Sequence, residues 1–168
     1  MAGAAPWIAV VGPGRDASPA ELDAAEEAGA AVAAAGAVLV CGGLGGVMAA
    51  ACRGSRAGGG TTVGLLPGDD RADANEWVDL ALPTGLGEAR NALIVRAADA
   101  MVAIGGGWGT LSEIALALRA RLPVVGVGTW EFARAGSPVP GAVAVANGRT
   151  AVEEALRRAG HGGEPRGS

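Results

Sequence analysis

The run AMVAIGGGWGTLSE, residues 100–113, joins three kinds of chain in fourteen residues. AMVAI (100–104) is apolar without interruption, as a strand buried on both faces must be. GGGWG offers almost no side chain, and the stretch from Thr110 to Arg119 has helical spacing. A strand, a glycine loop and a helix in this order form the unit of a parallel sheet.

The same grammar recurs on either side. WIAVVG (7–12) reads as a strand stopped by Gly-Pro-Gly, and Ser18-Pro19-Ala20-Glu21 as a capping box opening a helix over roughly 19–35. AVLV (37–40) leads through CGGLGG (41–46) into a helix from about Val47 to Arg56. TTVGLLP (61–67), VDLAL (78–82), PVVGV (123–127) and AVAVA (142–146) supply further strands, with a helix over about 87–97. Residues 68–77 and 129–141 read as a polar loop and an irregular connection. Thr150 and Glu153 are spaced to cap a last helix ending near Ala159. Strands alternating with helices predict an α/β fold: a Rossmann-like three-layer α/β/α sandwich around a mostly parallel sheet. One domain is expected over residues 1–160, with a disordered tail over 161–168.

Composition narrows the chemistry. The 168 residues are half hydrophobic, enough for one core without disulfide or metal staples. No apolar stretch reaches the roughly 20 residues of a membrane span. The amino-terminal MAGAAPWIAVVGPG has no basic segment of the kind that opens a signal peptide, so a soluble, cytoplasmic protein is expected. All thirteen basic residues are arginine, and the missing lysine excludes a Walker A loop and a pyridoxal phosphate Schiff base. The single histidine, His161, lies in the tail, which removes histidine-based acid–base chemistry. Cys41 and Cys52 lie in no zinc or redox motif. A net charge of −4 with no basic block argues against nucleic acid as a partner. Asp69, Asp70 and Asp73 lack calcium-loop spacing, so neither a metal nor a resident cofactor is expected.

Three glycine loops follow three strands: Gly12 and Gly14 in the first, Gly42, Gly43 and Gly46 in the second, Gly106, Gly107 and Gly109 in the third. In an open parallel sheet such loops line the ligand crevice, and the following helices present free amides to an anion. An anionic, phosphorylated small molecule is the ligand class this predicts. The dinucleotide fingerprint fails, because the first loop lacks its third glycine and the second strand has no acidic residue for a ribose. Thr110 is placed to give its hydroxyl to a phosphate. Trp108 either shields the loop or stacks on a base, while Met48 and Cys41 read as core.

CGGLGGVMAA (41–50), GLLPG (64–68), PTGLGEARNALIVRAADA (83–100) and IGGGWGTLSE (104–113) resemble, in this order, the Lonely Guy superfamily, whose members were often misnamed lysine decarboxylases. The resemblance implies a Rossmann-like fold, a homo-oligomer (dimer or larger), and cleavage of nucleoside 5′-monophosphates to base and ribose 5-phosphate. The family signature PGGxGTxxE is met by Gly106, Gly107, Gly109, Thr110 and Glu113, but Gly105 stands where the proline belongs. The upstream Arg-Lys pair is here Arg90-Asn91. These departures look like a sister group related to molybdenum-cofactor carrier proteins, which leaves two functions open: a phosphoribohydrolase, or a binding protein for a phosphorylated nucleotide or molybdopterin-type cofactor.

Each candidate side chain then has two readings. Glu113 is a helix cap three residues after Thr110, or the carboxylate that stabilises a cationic sugar. Arg90 is a solvated helix arginine, or the planar fork that orients Glu113 and holds substrate oxygens. Asn91 binds ribose hydroxyls or caps a turn. Arg96 and Asp99 are spaced to pair.

Overall fold

The structure, a computed structural model, describes residues 4–161. Its strands and helices alternate: β1 (Trp7–Val11), α1 (Pro19–Ala34), β2 (Val38–Cys41), α2 (Val47–Ala57), β3 (Thr61–Leu66) and β4 (Leu80–Pro83). Then follow α3 (Asn91–Ala97), β5 (Ala100–Ile104), α4 (Trp108–Arg119), β6 (Val124–Val127), a short β7–β8 hairpin (Ala133–Arg134 and Ser137–Pro138), β9 (Ala142–Ala144) and α5 (Gly148–His161). Residues 162–168 of the expected tail lie outside the described residues, and residue 161 ends α5.

Seven strands form one sheet in the order β4-β3-β2-β1-β5-β6-β9, with every neighbouring pair parallel. The expected Rossmann-like sandwich is therefore present. Alternation along β1 divides the core: Ile8 and Val10 face the layer containing α1, α2 and α5, while Ala9 and Val11 face α3 and α4. From β1 the chain winds outward through β2, β3 and β4, then returns through α3 to β5 on the other side of β1. This reversal opens a crevice above the carboxyl ends of β1 and β5.

The Ser18 capping box forms as expected, with Glu21 Oε2 accepting from Ser18 N at 2.7 Å. Two other helix starts differ from expectation. α4 begins at Trp108 with Gly107 as its N-cap, so Thr110 is the third helical residue and the expected Thr110–Glu113 capping box does not exist. α5 begins at Gly148, and Asn147 rather than Thr150 caps it, its Oδ1 accepting from Thr150 N at 2.9 Å. In both cases glycine at the helix entrance hid the true first turn. Asp99 turns to β1, where its Oδ2 accepts from Trp7 N at 2.9 Å.

Helices α1 and α2 touch backbone to backbone. A Cβ at Gly29 would stand 2.8 Å from the Ala51 carbonyl carbon, and one at Gly54 would stand 2.9 Å from that of Glu26. Alanine in a helix gains about 1 kcal/mol over glycine. Overpacking against backbone costs about 1–3 kcal/mol, and backbone cannot rotate away. The overpacking term outweighs propensity. Gly29→Ala is therefore expected to lower the midpoint of thermal unfolding, whereas Gly160→Ala in α5, with nothing within 4 Å, leaves it unchanged or raises it.

Candidate ligand site

The three glycine loops meet above the switch point but are not equivalent. The first loop packs downward: a Cβ on Gly12 would lie 2.5 Å from the Ile104 carbonyl oxygen and 2.6 Å from Val47 Cγ1. Gly14 lies against Met48, whose Cε would be 3.1 Å from such an atom. Pro13 O accepts from Val47 N at 3.0 Å, so the first loop already occupies the leading amide of α2. Gly46, with φ +60, caps α2 against the first loop, 2.9 Å separating its notional Cβ from the Gly14 carbonyl carbon. α1 likewise offers no anion seat, since its first turn carries Glu21 and is closed by Ser18.

The third loop is open. Gly107 caps α4 without a side chain, and the first helical bond runs from Leu111 N to Gly107 O at 3.0 Å. The amides of Trp108, Gly109 and Thr110 precede that bond and point toward the crevice end of the helix. Gly106, Gly107 and Gly109 are exposed, whereas Thr110 is buried just behind them.

Gly105 explains one departure in the signature. Its φ is +61 and its N–H donates to Val127 O at 3.0 Å. Proline has φ near −65° and no N–H, so it cannot stand here on either count. Glu21 also lies against this residue, 2.6 Å from its Cδ to where a Cβ would be.

Arg90 ends a 3-10 turn (Gly87–Arg90) rather than lying within a helix, and only 8% of it is exposed. Its guanidinium lies against Gly42, with Cζ 2.8 Å from where a Cβ would be, so glycine at 42 is what admits it. Nε and Nη1 are buried and have no hydrogen-bond partner among the described residues. Glu113, also 8% exposed, projects from the second turn of α4. Burial pushes its carboxyl up to about 7, against the downward pull of the Arg90 charge. Burial lowers Arg90 in turn, opposed by Glu113 and Cys41. Arginine remains a cation at neutral pH regardless.

Asn91 does not face the crevice freely: its Nδ2 donates to Ser112 Oγ at 3.4 Å, and that hydroxyl donates to Gly109 O at 2.7 Å. It thus ties α3 to the first turn of α4. Cys41 and Cys52 are free and buried, with their sulfurs 3.6 Å apart. The hydrogen bond from Cys52, with smaller help from Gly43 N–H and Arg90, draws the Cys41 thiol down although burial opposes it.

Two contributors were not read from the sequence. Asn75 clamps the second loop, donating through Nδ2 to Leu44 O at 2.9 Å and through its backbone N–H to Gly43 O at 2.8 Å. A single asparagine in a polar stretch gives no signal for that. Trp130, after β6, sits beside the third loop, its ring centroid 5.5 Å from that of Trp108. Its position after a strand of the same sheet was the available clue. Arg90 thus carries buried donors without partners among the described residues, α4 opens without a side-chain cap, and the Glu113 carboxyl, which feels the Arg90 charge, is raised to about 7.

Among solved structures, the chain is similar to the molybdenum cofactor binding protein of the phototrophic bacterium Rippkaea orientalis: 35% identical, TM-score 0.84, covering 91% of this chain and 96% of that one. It is also similar to the molybdenum cofactor carrier protein of Chlamydomonas reinhardtii, 34% identical with a TM-score of 0.78 over 91% of this chain and 97% of that one. An uncharacterized protein of Archaeoglobus fulgidus is 45% identical over 91 residues, which are 54% of this chain and 60% of that relative. The expected kinship with molybdenum-cofactor carrier proteins is borne out. No helix among the described residues is long and apolar enough to cross a membrane. The model of the SLOG cluster4 family matches residues 5–153, and the chain belongs to that family.

Proposed function

We propose that this protein binds and carries a phosphorylated pterin cofactor of the molybdopterin type in the cytoplasm, without cleaving it. The observation that carries this reading is Gly105, whose left-handed φ of +61 and donated N–H put the third loop on a path closed to the proline of the hydrolase signature. The likeness to two molybdenum-cofactor proteins over nine-tenths of the chain supports the pterin class.

The amides of Gly107–Thr110 and the Thr110 hydroxyl hold the phosphate at the positive end of the α4 dipole. Arg90 supplies the charge-assisted donors, and its unpartnered Nε and Nη1 are what an anion satisfies. Gly42 makes room for that guanidinium. Gly12, Gly14, Gly43 and Gly46 let the other two loops close tightly enough to form the floor.

In the sugar-stabilising role Glu113 must be ionised when the sugar becomes cationic, whereas a glycosidase general acid carries a raised pKa. Burial raises the Glu113 carboxyl to about 7, so around neutral pH it repels a bound phosphate less than an ordinary carboxylate does. Asn91, engaged with Ser112, is turned away from a ribose.

Incubation with a panel of nucleoside 5′-monophosphates is expected to release no base and no ribose 5-phosphate. The purified protein mixed with molybdopterin is expected to co-elute with it on gel filtration, read as pterin fluorescence after oxidation. Release of base, abolished by Glu113→Ala, would establish the hydrolase instead.

The Glu113 pKa sets a pH signature. Its folded value, about 7, lies above the ordinary 4.5, so protonation favours the folded state. That contribution is fully present below 4.5 and lost as pH rises through about 7. Glu113→Gln should therefore raise thermal stability more at pH 8 than at pH 5. In phosphate-ester titrations the wild type should lose affinity between pH 6 and 8 more steeply than the Gln variant, because an ionised Glu113 repels the ligand.

We infer that the protein assembles as a homo-oligomer through the β4 edge. Leu80, Leu82, Leu86 and Leu93 are exposed within fourteen residues, and β4 has an unpaired outer edge. Leu82→Glu with Leu86→Glu is expected to shift the mass measured by light scattering to that of the monomer. An unchanged multimer would place the interface elsewhere.

A further inference from the structure

Trp108 is the first residue of α4 and is 79% exposed, an unusual place for the largest apolar side chain. It is not loose. Trp130 approaches from the loop after β6, and the two rings stand 5.5 Å apart at a tilt of 38°, within the range of a genuine aromatic pair. The third loop is shaped to receive Trp130: a Cβ on Gly106 would lie 2.6 Å from its Nε1 and 2.9 Å from its Cδ1. Gly106 is therefore bare for an indole as much as for a ligand. One face of Trp108 is thus supported, while the ring as a whole stands open beside the α4 amides.

We propose that Trp108 and Trp130 form a two-indole platform that selects ligands carrying a flat heterocycle, the pterin of the phosphorylated cofactor, over phosphate esters without a flat π face. The inference rests on the anion seat argued above. Trp108 places its own amide in that seat and its exposed indole is attached to the same residue, which brings a flat apolar face close to a ligand whose phosphate lies on the α4 amides. Stacking on an indole is sequence-tolerant and needs only a flat π face, which suits a pterin and leaves a bare sugar phosphate without a partner. Trp130 packs beside the first indole within the fold itself, so the pair needs little rearrangement to receive a ligand. Shielding of the loop alone is the competing role.

The test uses the full chain and two probes, neopterin monophosphate and ribose 5-phosphate, titrated by calorimetry and by quenching of indole fluorescence. The wild type is expected to bind the pterin ester about tenfold or more tighter than the sugar phosphate. Trp108→Leu, which keeps the backbone amide, should abolish that preference by weakening the pterin ester alone, and Trp108→Phe should restore most of it. Trp130→Leu should weaken the pterin ester by a smaller factor. If Trp108→Leu weakens both probes equally, the indole only shapes the loop and the platform is overturned. Equal wild-type affinity for the two probes overturns it too, while leaving the anion seat intact. Binding of neither probe overturns the seat and the platform together.

Discussion

A guanidinium held almost out of water governs this site. Removing an arginine from solvent costs several kcal/mol unless its donors are satisfied. Here Arg90 Nε and Nη1 are buried without partners among the described residues, although Glu113 lies near enough for each charge to move the other's proton affinity. The fold tolerates this because neighbours are arranged around it: glycine at 42 to admit the fork, Cys41 beneath, and Asn91 fastening α3 to α4. On the function proposed above, a bound anion would relieve this desolvated cation and so link binding to stability at one residue.

The loops around it divide their work. Loop one spends its glycines on packing against Ile104 and Val47 and closes α2 with its Pro13 carbonyl. Loop two is fixed from outside by Asn75 and yields to Arg90 at Gly42. Only the third loop leaves a helix end open, and it also carries the indoles. Of the three glycine loops, the third is thus the one proposed to receive an anion, while the other two pack tightly against their neighbours.

The sheet, its crossovers and the crevice were legible because apolar runs of four to six residues alternate with helical spacing, and glycine marks each loop. The loop at 106–110 and the candidates Arg90 and Glu113 were singled out by resemblance to the Lonely Guy signature. What could not be read was partnership across the chain. Spacing offered Glu113 as a cap for Thr110 beside its reading as a site carboxylate, but helical propensity cannot see that α4 starts at Trp108 on a glycine cap. Glycine at 42 also accommodates Arg90 and glycine at 106 Trp130, since sequence shows the missing Cβ but not the atom filling its place. Asn75 and Trp130 reach the site over long separations and left no local pattern.

The bond from Gly105 N to Val127 O continues the β5–β6 ladder one step beyond the strand and into the loop. That step makes the loop entrance a piece of the sheet, and it ties residue identity at 105 to the neighbouring strand. Exchange between this loop and the proline-bearing form is then not a one-residue event. It requires the ladder step, the left-handed turn and the approach of Glu21 to change together. A change of residue at 105 is thus felt at once by the sheet edge, the turn and the first turn of α1.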